Sequence, residues 1–158
     1  MSHAESVRSY RFVHLGCPKN LVDAERAAGG MDAAGWREAP DEGSADLVIV
    51  TTCAFIEPAV EESVDEILRV AAAKRSGQRI AVVGCLVSRE GKRLAPLLPE
   101  VDLFLDVAGF ERLPAEAAAL FDMAAPDGGG AVRRLFTPPH IGYLKIAEGC
   151  SNRCSYCL

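Results

Sequence analysis

The sequence predicts an α/β domain built on an open, mostly parallel sheet with helices on both faces, and three observations lead there. Short β-like runs alternate with stretches of helical periodicity. Residues 47–50 (LVIV) are continuously apolar, as suits a strand buried on both faces of a parallel sheet. Three of the β-like runs end directly on a cysteine, at Cys17, Cys53 and Cys85, which lie 36 and 32 residues apart. A strand–helix–strand unit takes about 30 residues or more, so these intervals fit successive parallel strands of a doubly wound, flavodoxin-like sheet.

The first run, residues 11–16 (RFVHLG), ends on Cys17. Pro18 follows, and Asn20 is placed to cap a helix with Asp23 in its first turn, running to residue 31 or 34 and stopping before Gly35. A polar stretch with Pro40 and Gly43 leads to the run at 47–50, then Thr51, Thr52 and Cys53. Pro58 opens the second helix, with Glu61 and Glu62 in its first turn, where the helix dipole favours acids. Val60, Val64, Ile67, Leu68 and Ala71 share one face at helical spacing, and Gly77 ends the segment. The third run, residues 80–84 (IAVVG), ends on Cys85. A short helix from Arg89 to near Pro96, a strand at 103–107 and an alanine-rich helix at 114–123 complete a first domain, residues 1–124. Residues 125–131 have the Pro/Gly composition of a linker. Residues 132–136 read as a strand and Pro138-Pro139 as a turn. Residues 141–147 read as the first strand of a second domain, 132–158, of which only the start is present.

Composition narrows the class. Hydrophobic content of 49% with 25% charged residues is ordinary for a soluble domain. Lys+Arg 17 against Asp+Glu 22 gives a net charge of −5, so nothing calls for nucleic acid. No apolar run reaches membrane-spanning length and the N-terminus carries no apolar leader, which predicts a cytoplasmic protein without a membrane partner. In that compartment six cysteines suggest metal or catalysis rather than disulfides.

Strand C-termini of an open parallel sheet share one edge, where ligands bind, so Cys17, Cys53 and Cys85 should converge. Any one of them alone reads as a small buried residue; their common position makes them a three-thiolate site. Cys150, Cys154 and Cys157 form a second trio at C-x3-C-x2-C spacing. A cubane cluster has four irons and ferredoxin-type sites close it with four thiolates, so three leave one iron open. A closed zinc site would need a fourth ligand, and the nearest histidine, His140, lies ten positions before Cys150 across an apolar run. There is no P-loop and no G-x-G-x-x-G.

C-x3-C-x2-C with Tyr156 before the last cysteine resembles the signature of radical S-adenosylmethionine (SAM) enzymes. Together with an α/β domain holding three dispersed cysteines, it resembles the methylthiotransferase family over nearly the whole chain. Leu15-Gly16-Cys17-Pro18-Lys19-Asn20-Leu21-Val22-Asp23 is similar to the branch that modifies a small-subunit ribosomal protein. Cys53-Ala54-Phe55-Ile56, Gly84-Cys85-Leu86 and Leu144-Lys145-Ile146-Ala147-Glu148-Gly149-Cys150 agree. His14, Ala24 and Thr51 depart from that pattern, none at a proposed ligand.

The resemblance implies a 4Fe–4S cluster on Cys17, Cys53 and Cys85 that holds a sulfur species. A second 4Fe–4S cluster on Cys150, Cys154 and Cys157 would cleave SAM to a hydrogen-abstracting radical, with Tyr156 near the adenine. It further implies β-methylthiolation of an aspartate in ribosomal protein uS12, a small-ribosomal-subunit partner, and a flavodoxin- or ferredoxin-like electron donor. Two alternatives remain: a tRNA adenosine methylthiotransferase, against which Pro18-Lys19 argues, and a free-standing iron–sulfur or zinc module. Without a barrel the chain alone is expected to be inactive. Lys19 reads either as orienting a sulfur intermediate or as a solvated lysine, and Glu148 as a SAM contact. Trp36 reads as a packing residue, His3, His14 and His140 as structural, and Arg79, Arg133 and Arg134 as surface charges.

Overall fold

The structure is a computed structural model and describes residues 7–124, 132–149 and 151–155. Every residue of β3 (Leu47–Thr52) is buried. Strand alternation sends Leu47 and Ile49 into one core layer and Val48 and Val50 into the other. β4 (Arg79–Gly84) repeats this, with Ala81 and Val83 on the first side and Ile80 and Val82 on the second. The continuous apolar runs arise from this two-sided burial, each large side chain contributing about 1.5–3 kcal/mol.

β1 (Ser9–Val13), β2 (Arg37–Glu38) and β5 (Leu103–Leu105) complete the sheet, whose order is β2-β1-β3-β4-β5 with every pairing parallel. α1 (Pro18–Ala33) and α4 (Gly109–Leu120) cover one face through Ala24, Ala27, Ala28, Met31, Phe110, Leu113 and Ala117. α2 (Glu57–Ala72) and α3 (Cys85–Leu94) cover the other through Ile67, Val70 and Leu86. A Cβ on Gly30 would stand 2.8 Å from Pro114 Cγ, so the small face of α1 lets α4 approach closely. β1 has β2 on one side and β3 on the other. The chain therefore reverses its winding between the C-terminal ends of β1 and β3, the switch point where such sheets bind ligands.

Several boundaries differ from expectation for local reasons. β1 spans Ser9–Val13 rather than 11–16, because the chain leaves the sheet at His14 and turns at Gly16, φ 117°. Cys17, not Asn20, is the N-cap of α1. α2 ends at Ala72, and Gly77, φ 80°, serves the turn into β4. α3 begins at Cys85 instead of Arg89, since Gly84, φ 125°, reverses the chain in one residue. α4 begins at Gly109, whose N–H is accepted by Asp106 Oδ1 at 2.8 Å, and Pro114 lies inside it rather than at its start. β5 is three residues, and the two-residue β2 was not anticipated.

The largest correction concerns residues 132–136 and 141–147. Neither forms a strand. Among the described residues no sheet edge pairs with them, and they lie across α1 as an irregular strap held by side chains and by Arg134 N–H donating to Glu25 C=O at 3.0 Å. The expected linker, 125–131, lies outside the described residues.

Candidate metal centre

Cys17, Cys53 and Cys85 each stand on the turn that follows one of three adjacent strands, β1, β3 and β4. Cys17 is exposed; Cys53 and Cys85 are half-buried. Cys17 caps α1 and Cys85 opens α3, so two of the three thiols meet the positive end of a helix dipole. Burial is the largest influence on Cys85 and raises its pKa; a hydrogen bond from Asn20 opposes this, while Cys53, Cys17 and Glu148 add to it by their charge. Cys53, Cys17 and the Glu148 carboxylate are thus within electrostatic reach of Cys85. Among the described residues no three His, Cys, Asp or Glu side chains are grouped to hold a single metal ion.

Each cysteine turn is pinned by a polar side chain from a neighbouring element. Thr51 of β3 secures the Cys17 turn: its hydroxyl accepts from Leu15 N–H at 2.9 Å, donates to Leu15 C=O at 2.9 Å, and meets His14 Nδ1 at 2.9 Å. A hydroxyl has one proton, so with that proton on the Leu15 carbonyl, His14 must supply Nδ1–H. Burial pushes the His14 pKa down, and Glu25 pulls weakly the other way. Ser63 of α2, fully buried, accepts from Cys53 N–H at 3.1 Å and reaches the carbonyls of Cys53 and Ala59 at 3.1 and 2.7 Å. Asn20 of α1 spans to β3 and to the start of α3, donating to Thr52 C=O at 3.0 Å and contacting Cys85 Sγ at 3.7 Å.

The glycines before two of the cysteines clear space for this bridge. A Cβ on Gly16 would meet Asn20 Nδ2 at 2.9 Å, and one on Gly84 would meet Thr52 O at 2.7 Å. Asn20 is therefore a crosslink between α1, β3 and α3, buried to 3% exposure, rather than a helix cap. Sequence points to a cap because Asn near a helix start ordinarily caps it. Ser63 carries one readable signal, a small hydroxyl in the middle of an amphipathic helix.

The second trio is described only at Cys154, a half-buried residue in an irregular loop. Cys150, Tyr156 and Cys157 lie outside the described residues. The strap that leads to this loop is anchored to α1 by ion pairs. Arg133 donates to the fully buried Glu25 through Nε at 2.7 Å and through Nη2, and Phe136 N–H donates to Glu25 Oε1 at 2.7 Å. Arg134 bridges Asp32 at 2.8 Å and Glu38 at 2.6 Å. These two arginines are clamps, not the free surface charges expected from sequence. A Cβ on Gly29 would collide with Val132 O at 2.1 Å, so the strap requires glycine there. Farther on, Lys145 pairs with Asp23, and Lys19 meets Glu148 at 3.0 Å. Trp36 packs at the α1–β2 junction, 3% exposed against Phe121, as anticipated.

A parallel sheet with a cysteine turn after three adjacent strands defines the class: residues 9–106 match the uncharacterized protein family UPF0004, and the chain belongs to that family. Among curated proteins it is similar to ribosomal protein uS12 methylthiotransferase RimO of Syntrophus aciditrophicus (strain SB), 44% identical across 95% of this chain and 36% of the relative. The RimO of Syntrophobacter fumaroxidans is 42% identical across 96% of this chain and 36% of its own length. That of Sulfurihydrogenibium sp. is 41% identical across 92% and 33%. The chain thus spans about a third of the length of these relatives, matching their N-terminal portion. The family resemblance read from the cysteine motifs holds. No helix among the described residues is long and apolar enough to cross a membrane.

Proposed function

We propose that this chain is the N-terminal part of a radical SAM methylthiotransferase that inserts a methylthio group at the β-carbon of an aspartate of ribosomal protein uS12. The observation that carries the reading is the placement of Cys17, Cys53 and Cys85 on three adjacent strand-end turns at the sheet's ligand-binding edge. These residues fit a cluster better than a single ion. Three irons of a cube each take their own thiolate, so the sulfurs stand apart, whereas one ion needs every donor at one point. Gly16 and Gly84 take positive φ in the turns that carry two of the cysteines, and Cys17 and Cys85 stand at helix N-termini.

Cys17, Cys53 and Cys85 would hold one 4Fe–4S cluster and Cys150, Cys154 and Cys157 the other, with Tyr156 beside the adenine of SAM. Bound there, the pair would supply a site for sulfur and a one-electron cleavage of SAM, fed by a flavodoxin- or ferredoxin-like donor. The chain's own residues do the holding. Thr51, Ser63 and Asn20 fix the three turns, and the strap carries the second loop toward the same edge. A net charge of −5 suits a basic ribosomal protein substrate by electrostatic steering, and the expected compartment is the cytoplasm.

Anaerobic reconstitution followed by iron, sulfide and zinc analysis tests the reading. Iron and sulfide approaching two cubes per chain are expected, falling by half in Cys17→Ser/Cys53→Ser/Cys85→Ser. Stoichiometric zinc without iron refutes it. In the complete enzyme, methylthiolation of tRNA in place of uS12 would refute the substrate.

A further inference from the structure

The geometry points to Lys145 and Glu148 as positioning residues that set the separation between the two cysteine sites, through the ion-pair chain Asp23–Lys145–Glu148–Lys19. The inference rests on the proposed function for its purpose, but its geometry stands on this chain alone.

The strap docks in an unusual sense. Along residues 144–146 the apolar side chains face outward, Leu144 84% and Ile146 89% exposed, while the lysine between them faces the protein. Lys145 retains only 15% of its side-chain exposure and Asp23 10%. Its ammonium reaches both Asp23 oxygens, at 2.6 and 2.9 Å, and also contacts Glu148. Among the described residues apolar burial therefore does not dock 144–146; the desolvated Lys145 cation does, with Arg133 Nη1 donating to Tyr143 C=O at 2.6 Å just before it.

From that anchor the chain of charges continues to the sheet edge. Glu148 accepts from Lys19 at 3.0 Å. Lys19 stands two residues after Cys17 in the first turn of α1, and Glu148 two residues before Cys150. Two residues span at most about 7 Å, so the Lys19–Glu148 pair ties the two cysteine loops at nearly their nearest covalent points. With 48% and 58% side-chain exposure it is too solvated to hold them by itself. It becomes a fixed link because Lys145, buried against Asp23, holds Glu148 in place. A stray surface pair would show no such buried member.

The test is a distance measurement on cluster-free protein. Spin labels are attached to Cys17 and to Ser151→Cys, both exposed positions, in the 158-residue chain with the other five cysteines replaced by serine. The parent should give one narrow distance distribution by pulsed dipolar spectroscopy. Lys145→Met strands the Asp23 carboxylate, and loss of one member of a buried pair should lower the docked-to-undocked ratio of residues 141–149 by about a hundredfold, broadening the distribution. Glu148→Gln should broaden it less, with residues 141–147 still docked. Lys145→Arg, which keeps the cation, should restore the narrow distribution. An unchanged distribution in Lys145→Met, or Lys145→Arg behaving like Lys145→Met, overturns the inference. Iron analysis of the unlabelled parent is a separate readout, so failure of the two-cluster reading and failure of the positioning link are told apart.

Discussion

Removing the Arg133 guanidinium should destabilise the protein far more than the loss of an ordinary surface arginine. Glu25 is fully buried, with 0% side-chain exposure, and three donors serve it: Arg133 Nε at 2.7 Å, Arg133 Nη2, and Phe136 N–H at 2.7 Å. Arg133→Met leaves a buried carboxylate with one hydrogen bond, and breaking such a pair typically costs about 3–5 kcal/mol. The strap can lift and let water reach Glu25, which caps the loss at the strap's own docking energy. Arg133 also keeps 26% exposure, so part of its charge already faces water. Both points favour the lower end, about 3 kcal/mol. With a urea slope of about 2 kcal/mol/M, the midpoint should fall by roughly 1.5 M. The double variant Glu25→Gln/Arg133→Met carries no buried charge and keeps an acceptor for Phe136 N–H, so it should recover at least half of that loss. A midpoint within about 0.3 M of the parent for Arg133→Met, or a double variant no better than the single, would refute the clamp.

Two further outcomes follow from the cysteine turns. Asn20→Ala removes the donor to Thr52 C=O and the contact to Cys85 without removing any side-chain cap hydrogen bond from α1, and should cost about 1–3 kcal/mol by urea titration; a loss under about 0.5 kcal/mol would show that the bridge carries no weight. His14 has its folded pKa below its ordinary 6.5 because it is buried, so the unfolded chain binds the extra proton first. Its contribution is fully present above pH 6.5 and is lost as pH falls through the folded value, so the stability–pH curve should bend downward below about 6.5 and flatten there in His14→Gln. Asp102 is separate from that window. Its burial is outweighed by hydrogen bonds from Lys74, Ile80 N–H and Arg79, so its pKa is depressed and its effect appears only at more acidic pH.

The sheet was legible because its signals are local. Residues 47–50 and 80–84 are apolar at every position, and that pattern admits little besides a strand covered on both faces. The strap departs from its strand-like sequence for the converse reason. Ile141, Leu144 and Ile146 have strand-like side chains, yet a strand exists only where another backbone offers its ladder, and no propensity encodes that partner. Arg133 and Glu25 are 108 residues apart, and nothing in either neighbourhood announces the pair. Pro114 suits a helix start because its ring fits the first turn; in α4 it sits mid-helix, where the ring packs toward Gly30.

The cysteines were readable individually, but what makes them a site is register. Val50 pairs with Val82, and Cys53 and Cys85 each follow three residues later, so β3 and β4 deliver their thiols level with one another. Val13 pairs with Val50, yet Cys17 follows four residues later, so the first strand carries one residue too many to arrive level. The excess is absorbed between His14 and Gly16. Thr51 fastens both backbone groups of Leu15, and Gly16 takes φ 117°, a conformation side-chain-bearing residues rarely adopt. The two departures from the family pattern beside this turn, His14 and Thr51, touch each other at 2.9 Å. They therefore act as one unit on the residue that corrects the register. Replacing either alone should disturb the Cys17 turn, even though neither touches the proposed cluster.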